Sequence, residues 1–302
     1  MKKTNLERWI CEVEGLTDLT RENLEELQLR RLNEVLQRER RRNGFYANLP
    51  ERLGSLKELQ NLPFTSPEQL AAHGAGMLLV SQSMVKRVIT DQTSGTTGTV
   101  KRVFYTERDC EHTVGFFAAG LSELVFPGDA VMIAMPFSGP YGLGELIAAA
   151  IERLGARPVK TGIGKTFGEL AKELNEKRPA AFVGMPVPLL SMLRLCGKKS
   201  LLRALVSADS CPDSVAADAE RMLGSRLFPH YGSREMGLGG AVTCPAHMGM
   251  HLRENHVIAE IVDADGSPLP DGEEGELCIT TIGMEAMPLF RYKTGEDRKS
   301  VV

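Results

Sequence analysis

Between residues 86 and 235 short apolar runs alternate with amphipathic stretches, and this alternation limits the possible folds more than any other feature of the chain. Val88–Thr90, Val100–Thr106, Ala130–Met135, Arg157–Thr161, Ala180–Gly184, Ala204–Ser207 and Leu227–His230 read as strands. Helical spacing appears between most of them, at Arg108–Leu124, Leu143–Leu154, Phe167–Lys177, Pro188–Leu195 and Pro212–Leu223. Strands joined through helices form parallel sheets, so the pattern predicts an α/β domain with a mainly parallel sheet flanked by helices. Ligands of such sheets lie beyond the carboxyl ends of the strands. The loops leaving strands are therefore the places to look for chemistry.

Upstream, Leu24, Leu27, Leu29, Leu32, Val35 and Leu36 recur at helical spacing behind Thr20, an N-cap candidate. Arg38–Arg42, with Glu39 inside, reads first as a solvated helix end, with a binding patch as the alternative. A second, shorter helix is expected after Pro63, capped by Thr65 or Ser66. Beyond residue 240, strand-like runs near His256–Asp263 and Glu276–Thr281 are separated by turn residues at Asp265-Gly-Ser-Pro and Asp271-Gly. The expected organisation is a helical segment over 1–80 packed on the core, an α/β core over 81–240, and a β-rich subdomain over 241–302.

Composition excludes several classes. With 36 Lys+Arg against 39 Asp+Glu, the net charge of −3 lacks the basic surplus of a nucleic-acid binder. Apolar stretches are too short and too often broken by Gly or Pro to cross a membrane, and the charged N-terminus is unlike a signal peptide. The six cysteines show no repeated spacing, which fits reduced thiols in the cytoplasm better than a disulfide framework.

Three segments carry chemistry. Thr93-Ser-Gly-Thr-Thr-Gly-Thr-Val-Lys101 places five hydroxyls, two glycines and a lysine between strand candidates. Such a loop offers amide and hydroxyl donors and one cation, which suits a polyphosphate; a polar hairpin turn is the alternative. Gly164-Lys165-Thr166 copies the end of a Walker pattern, but Val159 stands where its first glycine belongs, so a turn and helix start is expected there. The second segment is His230-Tyr231-Gly232-Ser233-Arg234-Glu235 at a strand exit. Its ring can stack on a planar base and its carboxylate can ligate Mg²⁺, although taken alone it reads as a strand-to-loop turn with a surface Glu. In the third, Glu285 to Asp297, an acidic turn after Arg291-Tyr-Lys-Thr-Gly295 could accept hydrogen bonds from ribose hydroxyls.

Taken in this order around an α/β core, these segments resemble the adenylate-forming superfamily, and within it the phenylacetate–CoA ligase-like branch. Leu19-Thr-Arg-Glu-Asn-Leu, Leu62-Pro-Phe-Thr, Gly275-Glu-Leu and Pro288-Leu-Phe-Arg-Tyr-Lys-Thr-Gly add to the resemblance. It implies the large N-terminal domain of such an enzyme and a two-step reaction. ATP activates a carboxylic acid to an acyl-adenylate, and the thiol of coenzyme A then takes the acyl group. It also implies roles. Ser94, Gly95, Thr96, Thr97 and Gly98 hold phosphates with Lys101 beside them, and Thr96, Lys101 and Glu235 serve catalysis. Glu235 ligates Mg²⁺. Ser207, Ala208 and Asp209 line the adenine, with His230, Tyr231, Gly232 and Ser233 around it and Tyr231 stacked on the base. Phe137, Tyr141 and Gly142 lie near an acid that is aryl or similarly apolar. Two further enzymatic or binding alternatives stay open, a different acyl acceptor and a non-catalytic nucleotide-binding remnant.

The sequence departs from the family in two places. Glu296 stands where an Asp normally follows Thr-Gly to bind ribose. The family continues into a small C-terminal lid domain that this sequence, ending at Val302, is expected to lack, and with it full activity. Cys244, His247 and His251 are a candidate Zn²⁺ set by spacing. The exposed N-terminal helical segment could support a homodimer.

Overall fold

The computed structural model describes residues 3–92 and 100–299. The chain opens with helices α1 (Asn5–Glu14), α2 (Arg21–Arg42) and α3 (Pro67–His73), then strands β1 (Val85–Gln92) and β2 (Val100–Thr106). Next come α4 (Glu107–Leu121), β3 (Ala130–Ala134), α5 (Leu143–Arg153), β4 (Arg157–Lys160), α6 (Phe167–Lys177) and β5 (Ala181–Gly184). They are followed by α7 (Pro186–Cys196), β6 (Arg203–Val206), α8 (Asp213–Leu223) and β7 (Phe228–Tyr231). The chain ends in β8 (Ala241–Val242), β9 (His251–Leu252), β10 (Val257–Val262), β11 (Glu274–Thr281) and β12 (Tyr292–Lys299). Two compact units interleave along the sequence. One takes the N-terminal residues up to Trp9, Cys110–Ser233 and Leu238–Leu252; the other takes Ile10–Asp109, Arg234–Gly237 and the chain from Arg253 onward.

The first unit is the expected α/β sheet. Its strands run in the order β4-β3-β5-β6-β7-β8-β9, parallel from β4 to β7 and antiparallel beyond. Counting only the parallel strands, the order is second-first-third-fourth-fifth, which places a topological switch between β3 and β5. Every residue of β5 is buried, as a strand covered on both faces requires. One cover comes from α6, α7 and α8, where Leu174, Leu189, Leu193 and Leu223 pack with Met132 and Phe182. Each such side chain contributes about 1.5–3 kcal/mol through burial. Local signals set the helix ends. Thr166 and Glu169 form a reciprocal capping box at the start of α6, so Gly164-Lys165-Thr166 is a turn and helix start, as its missing glycine implied.

The second unit holds two small sheets, the β1–β2 hairpin and the antiparallel β10-β11-β12 sheet. The α/β reading extended the main sheet back to residue 86, and the structure corrects this. Only residues 93–99 separate β1 from β2, too few for a parallel crossover, and the two strands pair antiparallel. Thr20 caps α2 by accepting from the Asn23 N–H, and Ser66, not Thr65, caps α3. Thr65 is buried instead, its hydroxyl donating to the Phe290 carbonyl. Glu39 also differs from the solvated end expected of it. It is 1% exposed, and neither carboxyl oxygen has a hydrogen-bond partner among the described residues. Burial, partly opposed by Arg38, pushes its pKa up to about 7. Among the described residues no helix is long and apolar enough to cross a membrane.

Candidate functional site

In the second unit Lys101 stands near the start of β2, paired across the hairpin with Asp91. Its Nζ donates to Glu235 Oε1 at 2.9 Å and to the Tyr292 hydroxyl at 3.4 Å. Tyr292 donates to the same Oε1 at 3.1 Å. Glu235 is 7% exposed and sits in a turn closed by the Gly237 N–H on the Arg234 carbonyl. The Tyr105 hydroxyl donates to that carbonyl at 2.5 Å, which fixes the backbone just before the carboxylate. Burial alone raises a carboxyl pKa, but the charge and hydrogen bond of Lys101, aided by Tyr292, hold Glu235 below its ordinary value. Burial and the neighbouring carboxylate push the Tyr292 phenol well up, so it remains a neutral donor.

Mg²⁺ is commonly held by one or two carboxylates, with waters and substrate phosphates completing its octahedron. A single ionised carboxylate in a buried place meets that requirement. Lys101 and Tyr292 both donate to Oε1. The residues present fit the ion. Ser94, Gly95, Thr96, Thr97 and Gly98 lie outside the described residues; the strands flanking them, Gln92 and Val100, pair with each other.

Glu296 lies in the same unit, in a bulge. Cys278 pairs with Lys293 and Glu276 with Asp297, so Thr294, Gly295 and Glu296 stand against Leu277 alone. Gly295 takes φ +71°, a conformation that glycine adopts freely. The Thr294 hydroxyl donates to the Leu277 carbonyl at 2.8 Å and accepts from the Glu296 N–H at 3.2 Å. The acidic turn expected after Tyr292 is thus a bulge within a continuing strand.

In the first unit the candidate residues gather at strand ends. Ser207 follows β6, and its N–H donates to the Gly184 carbonyl at the end of β5. Its hydroxyl lies 2.7 Å from His230 Nδ1. The His230 ring is enclosed by Phe116 and Phe117, at centroid distances of 5.9 and 5.3 Å. Burial lowers its pKa to about 4, so the imidazole is neutral. Ala208 holds a left-handed φ of +67°, strain of about 1–2 kcal/mol for a residue with a Cβ. Asp209 accepts from the Ser210 N–H. Tyr231 ends β7, half-buried, with its carbonyl accepting from Gly240. At Gly232 a Cβ would stand 2.4 Å from the Leu238 carbonyl oxygen, and Leu238 donates its own N–H to the Ser233 carbonyl. Only glycine fits this turn.

Phe137 and Tyr141 lie on the loop after β3, beside the topological switch. Both are half-buried, with Lys160 Nζ 5.8 Å from the Phe137 ring centroid and Tyr141 at φ +61°. Gly142 is the N-cap of α5, which gives it a structural duty at this position.

The zinc expectation is not supported. His247 closes a tight turn onto the Cys244 carbonyl, packs its ring 4.7 Å from Phe228, and takes φ +51°. His251 belongs to β9, paired with Val242. Among the described residues no three His, Cys, Asp or Glu gather as a metal-binding group. Close sequence spacing here reflects a turn and a strand. Conversely, sequence reasoning overlooked Tyr292 as a partner of Glu235, although it lies within the Arg-Tyr-Lys-Thr-Gly segment.

Comparison with known proteins adds an independent finding. A family model described as AMP-binding enzyme matches residues 91–286. The phenylacetate-coenzyme A ligase of Thermus thermophilus is 30% identical over 305 residues, which cover 93% of this chain and 66% of that protein. The phenylacetate-coenzyme A ligase of Aromatoleum evansii is 33% identical over 260 residues, covering 81% and 58%. A crystal structure of 2-hydroxyisobutyryl-CoA ligase in complex with 2-HIB-AMP matches with a TM-score of 0.81, over 93% of this chain and 64% of that one. At 20% identity it shows the fold alone. The chain spans at most 66% of the length of each of these relatives.

Proposed function

Because the chain belongs to the AMP-binding enzymes, we propose that it activates a carboxylic acid with ATP and passes the acyl group to coenzyme A. The observation that carries this reading is the buried, ionised Glu235, held by Lys101 and Tyr292 at the end of the hydroxyl- and glycine-rich segment. The acid's carboxylate oxygen attacks the α-phosphorus and pyrophosphate leaves; the thiol sulfur then attacks the acyl carbon and AMP leaves. No protein nucleophile is required. The chain's own part is to position reactants and stabilise charge. Ser94–Gly98, including Thr96, and Lys101 hold the phosphates. Glu235 holds Mg²⁺, which offsets charge on the phosphate oxygens when bound. Ser207–Asp209, His230 and Tyr231–Ser233 receive the adenine, and Glu296 the ribose.

The acid is read as apolar and flat. Support comes from Phe137 and Tyr141 on the loop at the sheet's switch point, beside the buried Gly142. Cytoplasmic ATP and coenzyme A supply the co-substrates, in keeping with six cysteines of no repeated spacing. A thermal-shift series with ATP, Mg²⁺ and a panel of aryl and aliphatic acids tests the reading. ATP·Mg²⁺ is expected to raise the melting temperature of the wild type, and Glu235→Gln to lose the metal-dependent part of that rise. An unchanged shift in this variant removes Glu235 as the ligand. Failure of ATP to stabilise the wild type defeats the whole reading.

A further inference from the structure

We propose that Tyr292 is the fixed positioning residue of Glu235 and Lys101 its displaceable counter-ion. A nucleoside triphosphate with its divalent cation then exchanges the lysine for the metal, while the tyrosine keeps the carboxylate aimed. The inference rests on the nucleotide reading above and deepens it.

Tyr292 is anchored from every side. It is 2% exposed, and its backbone pairs with Ile279 on one flank and bridges to Thr65 on the other. Thr65 takes part in four hydrogen bonds there. Its N–H donates to Arg291 O at 3.1 Å, its carbonyl accepts from Lys293 N–H at 3.0 Å, and its hydroxyl donates to Phe290 O at 2.8 Å. That hydroxyl has a single proton, so the Tyr46 hydroxyl 2.8 Å away is the donor in the fourth. Arg291, directly before Tyr292, is 2% exposed and clamped by Glu260, by the Gln60, Leu62 and Gly266 carbonyls, and by the Phe64 ring 4.0 Å away. The phenol projects from this frame on two side-chain torsions.

Lys101 differs on each count. Its ammonium rides on a flexible four-carbon stem, its side chain is 20% exposed, and the segment 93–99 with its hydroxyls immediately precedes the strand. Among the described residues its only hydrogen-bond partners are Glu235 and Tyr292. A divalent cation arriving at Glu235 repels an ammonium a few ångströms away but leaves a neutral hydroxyl in place. The triphosphate meanwhile offers the displaced ammonium a stronger anion.

The test is calorimetry of ATP binding with and without Mg²⁺, using the wild type, Tyr292→Phe and Lys101→Met. Tyr292→Phe is expected to keep metal-free ATP affinity within about twofold and to raise the half-saturating Mg²⁺ concentration about tenfold, the size of one hydrogen bond to a charged group. Lys101→Met is expected to weaken metal-free ATP binding about tenfold without raising the Mg²⁺ requirement. An unchanged Mg²⁺ requirement in Tyr292→Phe overturns the proposal, as does an equal loss in both measurements, the signature of a purely structural role. A structure of the wild type with ATP and Mg²⁺ tests it without substitution. Lys101 must have left Oε1 with the Tyr292 hydroxyl still on it, and a lysine that stays overturns the exchange. If the wild type binds no ATP, this inference and the nucleotide reading fall together. If it binds ATP·Mg²⁺ and the variants match it, only the inference falls.

Discussion

Lys101, Glu235 and Tyr292 hold one another through a full ion pair and a phenol pressed against a carboxylate, whereas Ser207 and His230 meet as neutral groups among aromatic rings. The first set collects side chains from three distant stretches of chain. The second needs only that adjacent parallel strands end together, since Ser207 follows β6 and His230 lies in β7 beside it. A charged centre depends on its surrounding clamps, because an ion that loses its partner is stranded in a poor solvent. A neutral centre depends on backbone shape.

The largest break in this contrast should come from Arg291→Met. It leaves Glu260 without its buried partner and frees the start of β12, at an expected cost of about 3–5 kcal/mol in denaturant unfolding. A change below about 1 kcal/mol would show that the clamp is redundant.

The next effect separates the two units by the sign of their response to pH. His230 has a pKa lowered to about 4 in the folded chain, so the unfolded chain binds its proton first as pH falls. Its stability contribution is full above about 6.5 and is lost as pH drops toward 4, amounting to roughly 3 kcal/mol. Glu39, in the other unit, is raised to about 7, so the folded chain keeps its proton longer. Its contribution is present below about 4.5 and is lost as pH rises through 7. His230→Gln should flatten the acid limb of a stability-versus-pH curve, and Glu39→Gln the limb between about 5 and 7. Parallel curves for wild type and variant would refute either assignment.

Gly232→Ala should have the smallest effect, about 1–3 kcal/mol, because the added methyl meets the Leu238 carbonyl and the turn must open. Calorimetric melting reads it directly, and an unchanged midpoint would mean that the turn yields freely.

Much of the architecture was legible because it is written in local periods. Phe167–Lys177 is a helix from the residue expected to the residue expected, since Thr166 and Glu169 signal its start and its apolar positions fall on one face. Val100–Thr106 likewise matches β2. The β1–β2 hairpin was misplaced because strand-forming residues carry no mark of which sheet they join. Glu39 was misread for a related reason: a carboxylate among arginines has the composition of a surface, and only tertiary packing buries it. The pairing of Glu235 with Tyr292 spans 57 positions, a contact for which neither periodicity nor turn chemistry leaves a trace. The zinc expectation finds no support for the opposite reason: residues close in sequence, Cys244, His247 and His251, do not gather as a metal-binding group among the described residues.

The bulge in β12 inserts two residues beyond regular pairing, an even number. Backbone pairing resumes beyond it, Glu276 with Asp297, so the insertion shifts the cross-strand register by two, while removal of one residue would shift it by one. The length of Thr294-Gly295-Glu296 is therefore under tighter control than the identity of its acid. An aspartate could be exchanged for a glutamate there at modest geometric expense, but a single-residue deletion would put the backbone pairing of the rest of the strand out of register.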